Sequence, residues 1–185
     1  MAERISEVLM LNNVRRNLIY ALRRWNWKRI MKRSLGTSVQ IMSGVKWECT
    51  NITIGNYSQI RINCQFLGRG KISIGEHTQI GDNSICYSYT GGSITIGDYV
   101  WFAPNCYVID CDHCIKKDVL IRNQGALVKP IIIEDDVWLG NGVTVLKGVH
   151  IGKGAVIGAG SVVTKDIPEN AIAVGVLAKV IKYRE

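Results

Sequence analysis

Several classes of protein are excluded by what the sequence lacks. It has no apolar run of about eighteen residues, the length that a membrane-spanning helix needs. Its first residues, MAERISEV, lack the basic-then-apolar order of a secretory signal peptide, so a cytoplasmic protein is expected. The six cysteines then do not indicate disulfides, because thiols stay reduced in that compartment. The basic residues match no nucleic-acid-binding motif, so no nucleic acid partner is expected.

A metal or redox site also lacks support in the sequence. Cys111 and Cys114 flank His113 in a C-x-x-C pattern, but no second ligand pair follows at the usual spacing of a zinc site. Redox C-x-x-C motifs usually begin a helix that follows a strand, and the context here is different. We therefore expect no metal in this protein.

The feature that the sequence does have is a repeat of six residues. From residue 133 onward the first place is always a branched aliphatic residue, in Ile133, Leu139, Val145, Ile151, Ile157 and Val163. The fifth place is small or β-branched, in Val137, Val143, Val149, Ala155, Ser161 and Ile167. Glycine recurs at the second place, where we expect a tight turn with positive φ, in Gly140, Gly152 and Gly158. This period predicts an all-β solenoid in which three short strands close each triangular coil.

The same period extends upstream with small slips of register. First-place residues recur in Ile54, Ile60 and Phe66, then in Ile74 and Ile80, and then in Ile96, Phe102 and Val108. Cys64 and Cys106 occupy fifth places and are predicted to lie in the core. Between residues 109 and 130 the period is lost and the sequence becomes polar. Because a long loop on a rigid scaffold is usually functional, we take residues 109–130 as the candidate functional loop.

The positive charge of the chain is concentrated at its N-terminal end. Residues 1–34 contain nine basic and two acidic residues, a net charge of +7, and residues 35–185 carry only +1. Apolar residues at helical spacing predict a basic amphipathic helical segment over 1–37, with one face formed by Leu11, Val14, Leu18, Ala21, Leu22 and Trp25. This face could cap the first coil, or residues 1–34 could contact an anionic membrane peripherally at its inner face. The sequence leaves both interpretations open.

His113 is the candidate catalytic residue because it lies in the polar loop. An imidazole that titrates near neutral pH can act as a general base toward a hydroxyl, and Asp110 and Asp112 could orient it. The other two histidines, His77 and His150, fall inside hexapeptides at turn or outward places. Basic residues near the C-terminus could bind a phosphate-bearing ligand or form ordinary solvated surface.

Four motifs give the chain a family resemblance. They are A-P-N at 103–105, eight residues before His113, V-W-L-G at 137–140, I-G-A-G-S-V-V-T-K-D-I-P at 157–168, and G-V-L-A-K-V-I-K at 175–182. With the hexapeptides, they resemble the hexapeptide-repeat acyltransferases over about residues 50–185. The most similar branch is that of the galactoside and maltose O-acetyltransferases, with relatives that acetylate bacterial surface polysaccharides.

The resemblance implies a fold, an assembly and an activity. The fold would be a left-handed parallel β-helix over residues 38–175, followed by a tail, residues 176–185, over the CoA site. The assembly would be a homotrimer with active sites between neighbouring copies. The activity would be transfer of an acetyl group from acetyl-CoA to a saccharide hydroxyl, as in a surface polysaccharide or its precursor. An amine acceptor, such as an amino sugar or a drug, and a non-catalytic scaffold are the alternatives.

The resemblance also assigns roles to individual residues. His113 matches the catalytic base, and on the substrate side we place Asn83, Asp110, Asp112 and Trp138. The expected CoA contacts are Gly140, Asn141, Ala159, Thr164, Lys165, Lys179 and Lys182, and backbone N–H groups near Gly140 could stabilise the oxyanion. Two residues depart from the family pattern. Leu177 replaces a proline of the closing motif, and Cys111 replaces the first histidine of D-H-x-H.

Overall fold

The computed structural model describes residues 18, 19, 22 and 34–185. Leu18, Ile19 and Leu22 have helical backbone and exposed side chains, and the other residues of the predicted helical segment up to residue 33 lie outside the described residues. The prediction is wrong for residues 34–37, which are not helical, because Ser34–Leu35 pairs as a strand of the first coil. Among the residues that the structure describes, no helix has the length and apolar character needed to cross a membrane.

The first four coils each contain three strands. Coil 1 holds β1 (Ser34–Leu35), β2 (Gln40–Ile41) and β3 (Lys46–Trp47). Coil 2 holds β4 (Asn51–Ile54), β5 (Gln59–Ile60) and β6 (Gln65–Gly68). Coil 3 holds β7 (Lys71–Ile74), β8 (Gln79–Ile80) and β9 (Ile85–Ser88). Coil 4 holds β10 (Ser93–Ile96), β11 (Trp101–Phe102) and β12 (Tyr107–Ile109).

The remaining coils follow a loop that carries its own small structure. The loop contains β13 (Cys111–His113), a 3₁₀ helix (Ile121–Asn123) and β14 (Ala126–Val128). Coil 5 holds β15 (Ile131–Ile133), β16 (Trp138–Leu139) and β17 (Thr144–Val145). Coil 6 holds β18 (His150–Ile151), β19 (Val156–Ile157) and β20 (Val162–Val163). The last coil ends with β21 (Ala171–Val174), and β22 (Lys179–Tyr183) folds back on it.

Stacked coils form three parallel sheets, one on each side of a triangular prism. Sheet A has the order β1-β4-β7-β10-β15-β18, sheet B has β2-β5-β8-β11-β16-β19-β21-β22, and sheet C has β3-β6-β9-β12-β17-β20. Only β13–β14 and β21–β22 pair antiparallel among the described strands. The predicted parallel β-solenoid is therefore confirmed. We call its edges AB, BC and CA after the sheets that they join.

The core lies inside the prism and is built from the first places of the hexapeptides. Every first-place residue from Ile133 to Val163 is fully buried, and so are Ile60, Phe66 and Phe102 upstream. The predicted core cysteines, Cys64 and Cys106, are buried as well. Strand burial alternates, as in the exposed–buried pattern of β4, because successive side chains point to opposite faces of a strand.

The role predicted for the second-place glycines is wrong. Positive φ occurs at the fourth place instead, at Gly142, Gly148, Gly154 and Gly160, and upstream at Asn63, Asn83 and Asn105. Asparagine replaces glycine there because its short polar side chain tolerates the left-handed region. Gly140 at the second place is needed for close packing, since a Cβ there would lie 2.6 Å from the Ala159 backbone nitrogen of the next coil.

Both ends of the solenoid differ in detail from the predicted boundaries. Strand β1 pairs with β4 from Ser34 onward, so the first coil begins four residues before the predicted start at residue 38. At the other end, β22 pairs antiparallel with β21 within the predicted tail of residues 176–185. The tail therefore continues sheet B past the seventh coil.

Candidate active site

The functional loop leaves the solenoid at edge CA, between coils 4 and 5, and begins as a hairpin. In the hairpin, His113 is opposite Ala126 and Cys111 is opposite Val128. The Cys114 N–H donates to the Gly125 carbonyl at 2.9 Å, which continues the pairing by one residue. The His113 side chain is exposed on the outer side of this hairpin pairing.

One amide side chain closes the outer part of this loop. Gln124 accepts from the Lys116 N–H at 2.7 Å and donates to the carbonyls of Lys116 and Val119 at 2.9 and 2.7 Å. A side chain that satisfies three backbone groups restrains the loop without regular structure. The hairpin therefore presents His113 on a fixed support, as general base catalysis requires.

Asp110 and Asp112 have partners other than His113. The fully buried Asp110 carboxylate accepts from the Ser88 hydroxyl at 2.6 Å and from the Tyr89 N–H at 2.8 Å. The Asp112 carboxylate pairs with Lys147 of coil 5. The expectation that these carboxylates orient the imidazole thus gives way to a different role, because both fasten the base of the hairpin to neighbouring coils.

The two cysteines beside His113 differ in exposure. Cys111 is buried, and burial together with the charges of Asp110 and Asp112 raises the pKa of its thiol. Cys114 is partly exposed. Within the described part of the chain, no three His, Cys, Asp or Glu side chains come together as a group of metal ligands. The buried Cys111 thiol is therefore a packing group at the hairpin base.

Three of the predicted CoA residues lie together on edge BC. Gly140 and Asn141 of coil 5 lie directly against Ala159 of coil 6. The Gly140 N–H donates to the Ile157 carbonyl at 2.8 Å, so it is not available to an oxyanion and that expectation is wrong for this group. Within residues 34–185, the N–H groups of Asn141 and Ala159 have no acceptor, which leaves two donors at one edge for an amide-rich ligand.

Asn83 lies on the same edge two coils lower. It has positive φ, and its side chain accepts from Asn63 at 3.3 Å and donates to Asn105 at 3.4 Å. These contacts make Asn83 one rung of an asparagine ladder along edge BC. Its side chain is exposed, so it can also contact a ligand that lies along this edge.

The remaining CoA candidates lie in two other places. Thr164 and Lys165 follow β20 on edge CA, the edge that carries the His113 hairpin. Lys179 and Lys182 lie on β22, opposite Val174 and Ile172 at the end of sheet B. All three lysines are exposed and are found in the upper coils.

Trp138 lies on the outer face of sheet B beside Trp101. The two tryptophans are register partners in β16 and β11, and they are 53% and 60% exposed. With Tyr99 and Pro104 they line a cavity of about 550 Å³. Exposed aromatic groups of this size usually mark a binding or contact surface.

An aromatic ladder on edge AB was missed by the sequence reasoning. His77 stacks between Tyr57 and Tyr99, with ring centroids 4.9 Å apart on each side. The three residues share the fourth place of their hexapeptides, three residues after Ile54, Ile74 and Ile96, and this spacing could have revealed the stack. His150, by contrast, is an outward residue whose ring contacts Glu134 at 2.8 Å.

The predicted site residues thus fall on two edges and one face of a single copy. Edge CA carries His113, Thr164 and Lys165; edge BC carries Asn83, Asn141 and Ala159. The two edges are separated by a side of six residues, or up to about 20 Å of extended chain. In a single copy, these candidate residues therefore form two separate groups, one on each edge.

The parallel β-helix and the histidine hairpin at its edge define the class of hexapeptide-repeat transferases. Family models of this class match in two places, "Bacterial transferase hexapeptide (six repeats)" at residues 130–165 and "Hexapeptide repeat of succinyl-transferase" at residues 71–108. The solved maltose O-acetyltransferase of Clostridium difficile 630 is 33% identical, with a TM-score of 0.63, over 88% of this chain and 75% of that chain. The chain belongs to the hexapeptide-repeat acyltransferase superfamily, in its galactoside and maltose O-acetyltransferase-like branch.

Curated acetyltransferases are also similar to this chain, but the match covers a smaller share of their length. The galactoside O-acetyltransferase of Escherichia coli K12 is 38% identical over 132 residues, which are 70% of this chain and 63% of the relative. A probable acetyltransferase of Mycobacterium tuberculosis is 37% identical over 135 residues, 72% of this chain and 43% of the relative. The chain spans 39 to 57% of the length of the first curated relatives that it matches.

Proposed function

We propose that this protein transfers an acetyl group from acetyl-CoA to a hydroxyl of a saccharide, with His113 as the general base. The observation that carries the proposal is the exposed His113, held on a braced hairpin at the level where coil 4 meets coil 5. The donor candidates Asn141, Ala159 and Lys165 lie in coils 5 and 6, directly above that level.

The reaction requires two proton transfers, one from the acceptor hydroxyl and one to the CoA sulfur. His113 takes the proton from the acceptor hydroxyl, whose oxygen forms the new ester bond with the acetyl carbon. The thioester carbon–sulfur bond breaks, and the proton passes from His113 to the CoA sulfur. General base catalysis of this kind contributes about 10²–10⁴-fold in rate. The free N–H groups of Asn141 and Ala159 suit the amides of the pantetheine arm, and Lys165, Lys179 and Lys182 suit its phosphates.

A homotrimer would join the two half-sites. If edge CA of one copy faces edge BC of the next, then His113, Thr164 and Lys165 meet Asn83, Asn141 and Ala159 across one cleft. Such head-to-tail contacts close into a ring of three when each copy is rotated by a third of a turn relative to the next. The loop supports this arrangement, because five large apolar side chains are exposed on it among the polar ones: Ile115, Val119, Leu120, Ile121 and Leu127. Apolar groups of this kind favour burial against a neighbouring copy.

The saccharide acceptor is supported by the names of the relatives, a galactoside and a maltose O-acetyltransferase. A surface polysaccharide or its precursor is the finer proposal. For the location of the enzyme, we propose the cytoplasm, with residues 1–34 in peripheral contact with an anionic membrane. That segment lies outside the described residues apart from Leu18, Ile19 and Leu22, and its binding to anionic vesicles would test the contact.

The acceptor class is tested by measuring CoA thiol release with a panel of acceptors. We expect release above the background without acceptor when maltose or a galactoside is supplied, and acetyl esters in the product. Glucosamine is the amine arm of the panel. Acetylation on nitrogen alone would replace the proposal by an N-acetyltransferase, and no release with any acceptor would favour a scaffold.

A further inference from the structure

An exposed aromatic groove follows the ladder of rings on edge AB. It has a volume of about 220 Å³ and is lined chiefly by Tyr57, His77, Tyr99 and Trp101, with Gln59 and Gln79 at its side. Its rings are largely uncovered, since Tyr57 is 54% exposed and Tyr99 is 61% exposed. The larger cavity described above shares Tyr99 and Trp101 with this groove, so the aromatic surface is continuous. Apolar surface of this kind usually marks a contact site.

Edge AB is the edge that the proposed trimer leaves uncovered. In that trimer, edges CA and BC of neighbouring copies face each other, and sheet C, which joins these two edges, lies toward the centre. Edge AB is opposite sheet C in a triangular prism, so it points away from the assembly. The aromatic groove is therefore open to a partner other than a neighbouring solenoid.

Two carboxylates lie beside the rings of the groove. Glu76 and Asp98 directly precede His77 and Tyr99 in the chain. Bonds between coils hold them in place, because Glu76 accepts from the Asn56 amide at 2.6 Å and Asp98 accepts from the Glu76 N–H at 2.7 Å. Among residues 34–185, no Lys, Arg or His side chain pairs with Glu76 or Asp98. The groove thus combines aromatic rings with negative charge, which suits a partner that is both apolar and basic.

Residues 1–33 of the same chain have the complementary chemistry. They contain nine Lys and Arg residues and two Glu residues, a net charge of +7. The predicted apolar face includes Leu18 and Leu22, which are 59% and 55% exposed, so both side chains are open to a contact. On the predicted helix, Lys28 would lie one turn after Trp25, which places a cation beside an apolar ring. A segment of this composition can cover the rings and pair with the carboxylates at the same time.

The segment joins the solenoid close to the groove. Thr37 lies directly below Tyr57 on edge AB, because the Tyr57 N–H donates to the Thr37 carbonyl at 2.9 Å. Ser34 is three residues earlier, within about 10 Å of that edge along the strand. Coils repeat every ~4.8 Å and helical turns every ~5.4 Å, so a helix along the solenoid axis presents about one turn to each coil. A short tether of this kind keeps the segment at a high local concentration beside the groove.

We propose that residues 1–33 dock along edge AB of their own copy, with the apolar face on the aromatic groove and the basic side chains on Glu76 and Asp98. This docking does not depend on the proposed acetyl transfer. The membrane contact proposed above uses the same basic side chains, so the segment has to leave edge AB to make it. The docked form is therefore the form in solution, and an anionic surface competes with Glu76 and Asp98 for the segment.

The test is zero-length carbodiimide crosslinking of the full chain at low salt, with mass spectrometry of the linked peptides. Lys28 and Lys32 are the lysines of the segment. We expect them to form links with Glu76 or Asp98 about tenfold more often than with Glu48, because docking raises the local concentration on one edge only. Glu48 is the matched control, since it is exposed and follows β3 on edge CA of the first coil.

Removal of one ring tests the groove without changing the linked groups. Tyr99→Asn deletes the ring and introduces a residue that tolerates the positive φ of this turn. The links to Glu76 and Asp98 should then fall toward the level of Glu48. Tyr89→Asn deletes a partly exposed ring on edge CA and should leave the pattern of links unchanged.

Three results would overturn the inference. One is a lack of links to Glu76 and Asp98, or links to Glu48 that are equally frequent. Another is a pattern that Tyr99→Asn leaves unchanged. The third is that the links join two chains, seen as a species of twice the chain mass after denaturation, which would refute docking on the same copy. Because none of these measurements uses acetyl transfer, each result leaves the proposed function in place.

Discussion

At the residue scale, His113 is distinguished from the other histidines by its surroundings. All three histidines are exposed, but His77 stacks between two tyrosines and His150 is paired with Glu134, whereas among residues 34–185 the His113 ring has no such partner. The sequence could predict this difference because His77 and His150 lie within hexapeptides, whereas His113 lies in the loop that interrupts the repeat. It could not predict the bonds of Asp110, since Ser88 and Tyr89 lie about twenty residues away in the preceding coil.

The cysteines give a prediction about thiol reactivity. Burial raises the pKa of Cys64 to about 12 and that of Cys106 to about 11, and it also raises the pKa of Cys86. A thiol reagent should therefore modify Cys114 in the folded protein at mildly alkaline pH and leave the five buried cysteines intact. Mass spectrometry of the modified sites checks this. Rapid modification of Cys64 or Cys106 without unfolding would contradict the buried placement.

The same pKa shifts set the direction of a pH effect on stability. The folded state holds the Cys64 and Cys106 protons more tightly than the unfolded chain, whose thiol pKa is about 8.5. Their contribution is therefore complete below that pH and is lost as the pH rises toward about 11 to 12. The free energy of unfolding should accordingly fall with alkaline pH over this window.

At the element scale, the hexapeptide assigns a different constraint to each of its places. The second place at Gly140 has no room for a Cβ against the next coil, and the fourth place at Gly142 has positive φ. The sequence shows glycine at both places and so cannot separate the two causes. Only the stacked coils show that Gly140 faces the Ala159 backbone while Gly142 has open space around it.

This distinction predicts that substitutions at Gly140 and Gly142 have different effects on the free energy of unfolding. Gly140→Ala should lower the free energy of unfolding by about 1–3 kcal/mol, because the added methyl group forces the coils apart. Gly142→Asn should change it by less than about 0.5 kcal/mol, since asparagine occupies the same turn place in lower coils. Urea unfolding of both variants measures the difference. Equal losses would contradict the assignment of close packing to Gly140 and of positive φ alone to Gly142.

At the scale of the whole molecule, the solenoid could be predicted from the sequence and the active site could not. A six-residue period determines which residues face the core, because the side chain at each place of the hexapeptide points in the same direction in every coil. The cavity on edge CA that is lined by Glu48, Arg69 and Tyr89 has no such signal, since these residues come from three different coils. The complete site is still harder to predict from the sequence, because its two proposed halves lie on different edges, CA and BC.

The shared site between copies is the central claim, and mixing of subunits tests it most directly. His113→Ala removes the base from edge CA, and we expect at least about a hundredfold loss of acetyl transfer. Asn141→Pro removes the N–H proposed to hold the donor on edge BC and should weaken acetyl transfer strongly at limiting acetyl-CoA. Each variant should form a trimer of 20.6 kDa chains by light scattering.

The deciding measurement is the rate of acetyl transfer after the two variants are unfolded, mixed in equal amounts and refolded together. If each site takes His113 from one copy and Asn141 from the next, every mixed trimer contains one intact site, and about a quarter of the wild-type rate should return. Rates that stay at the level of the separate variants, in trimers shown to be mixed, would contradict the shared site and place both residues in the same copy's active site.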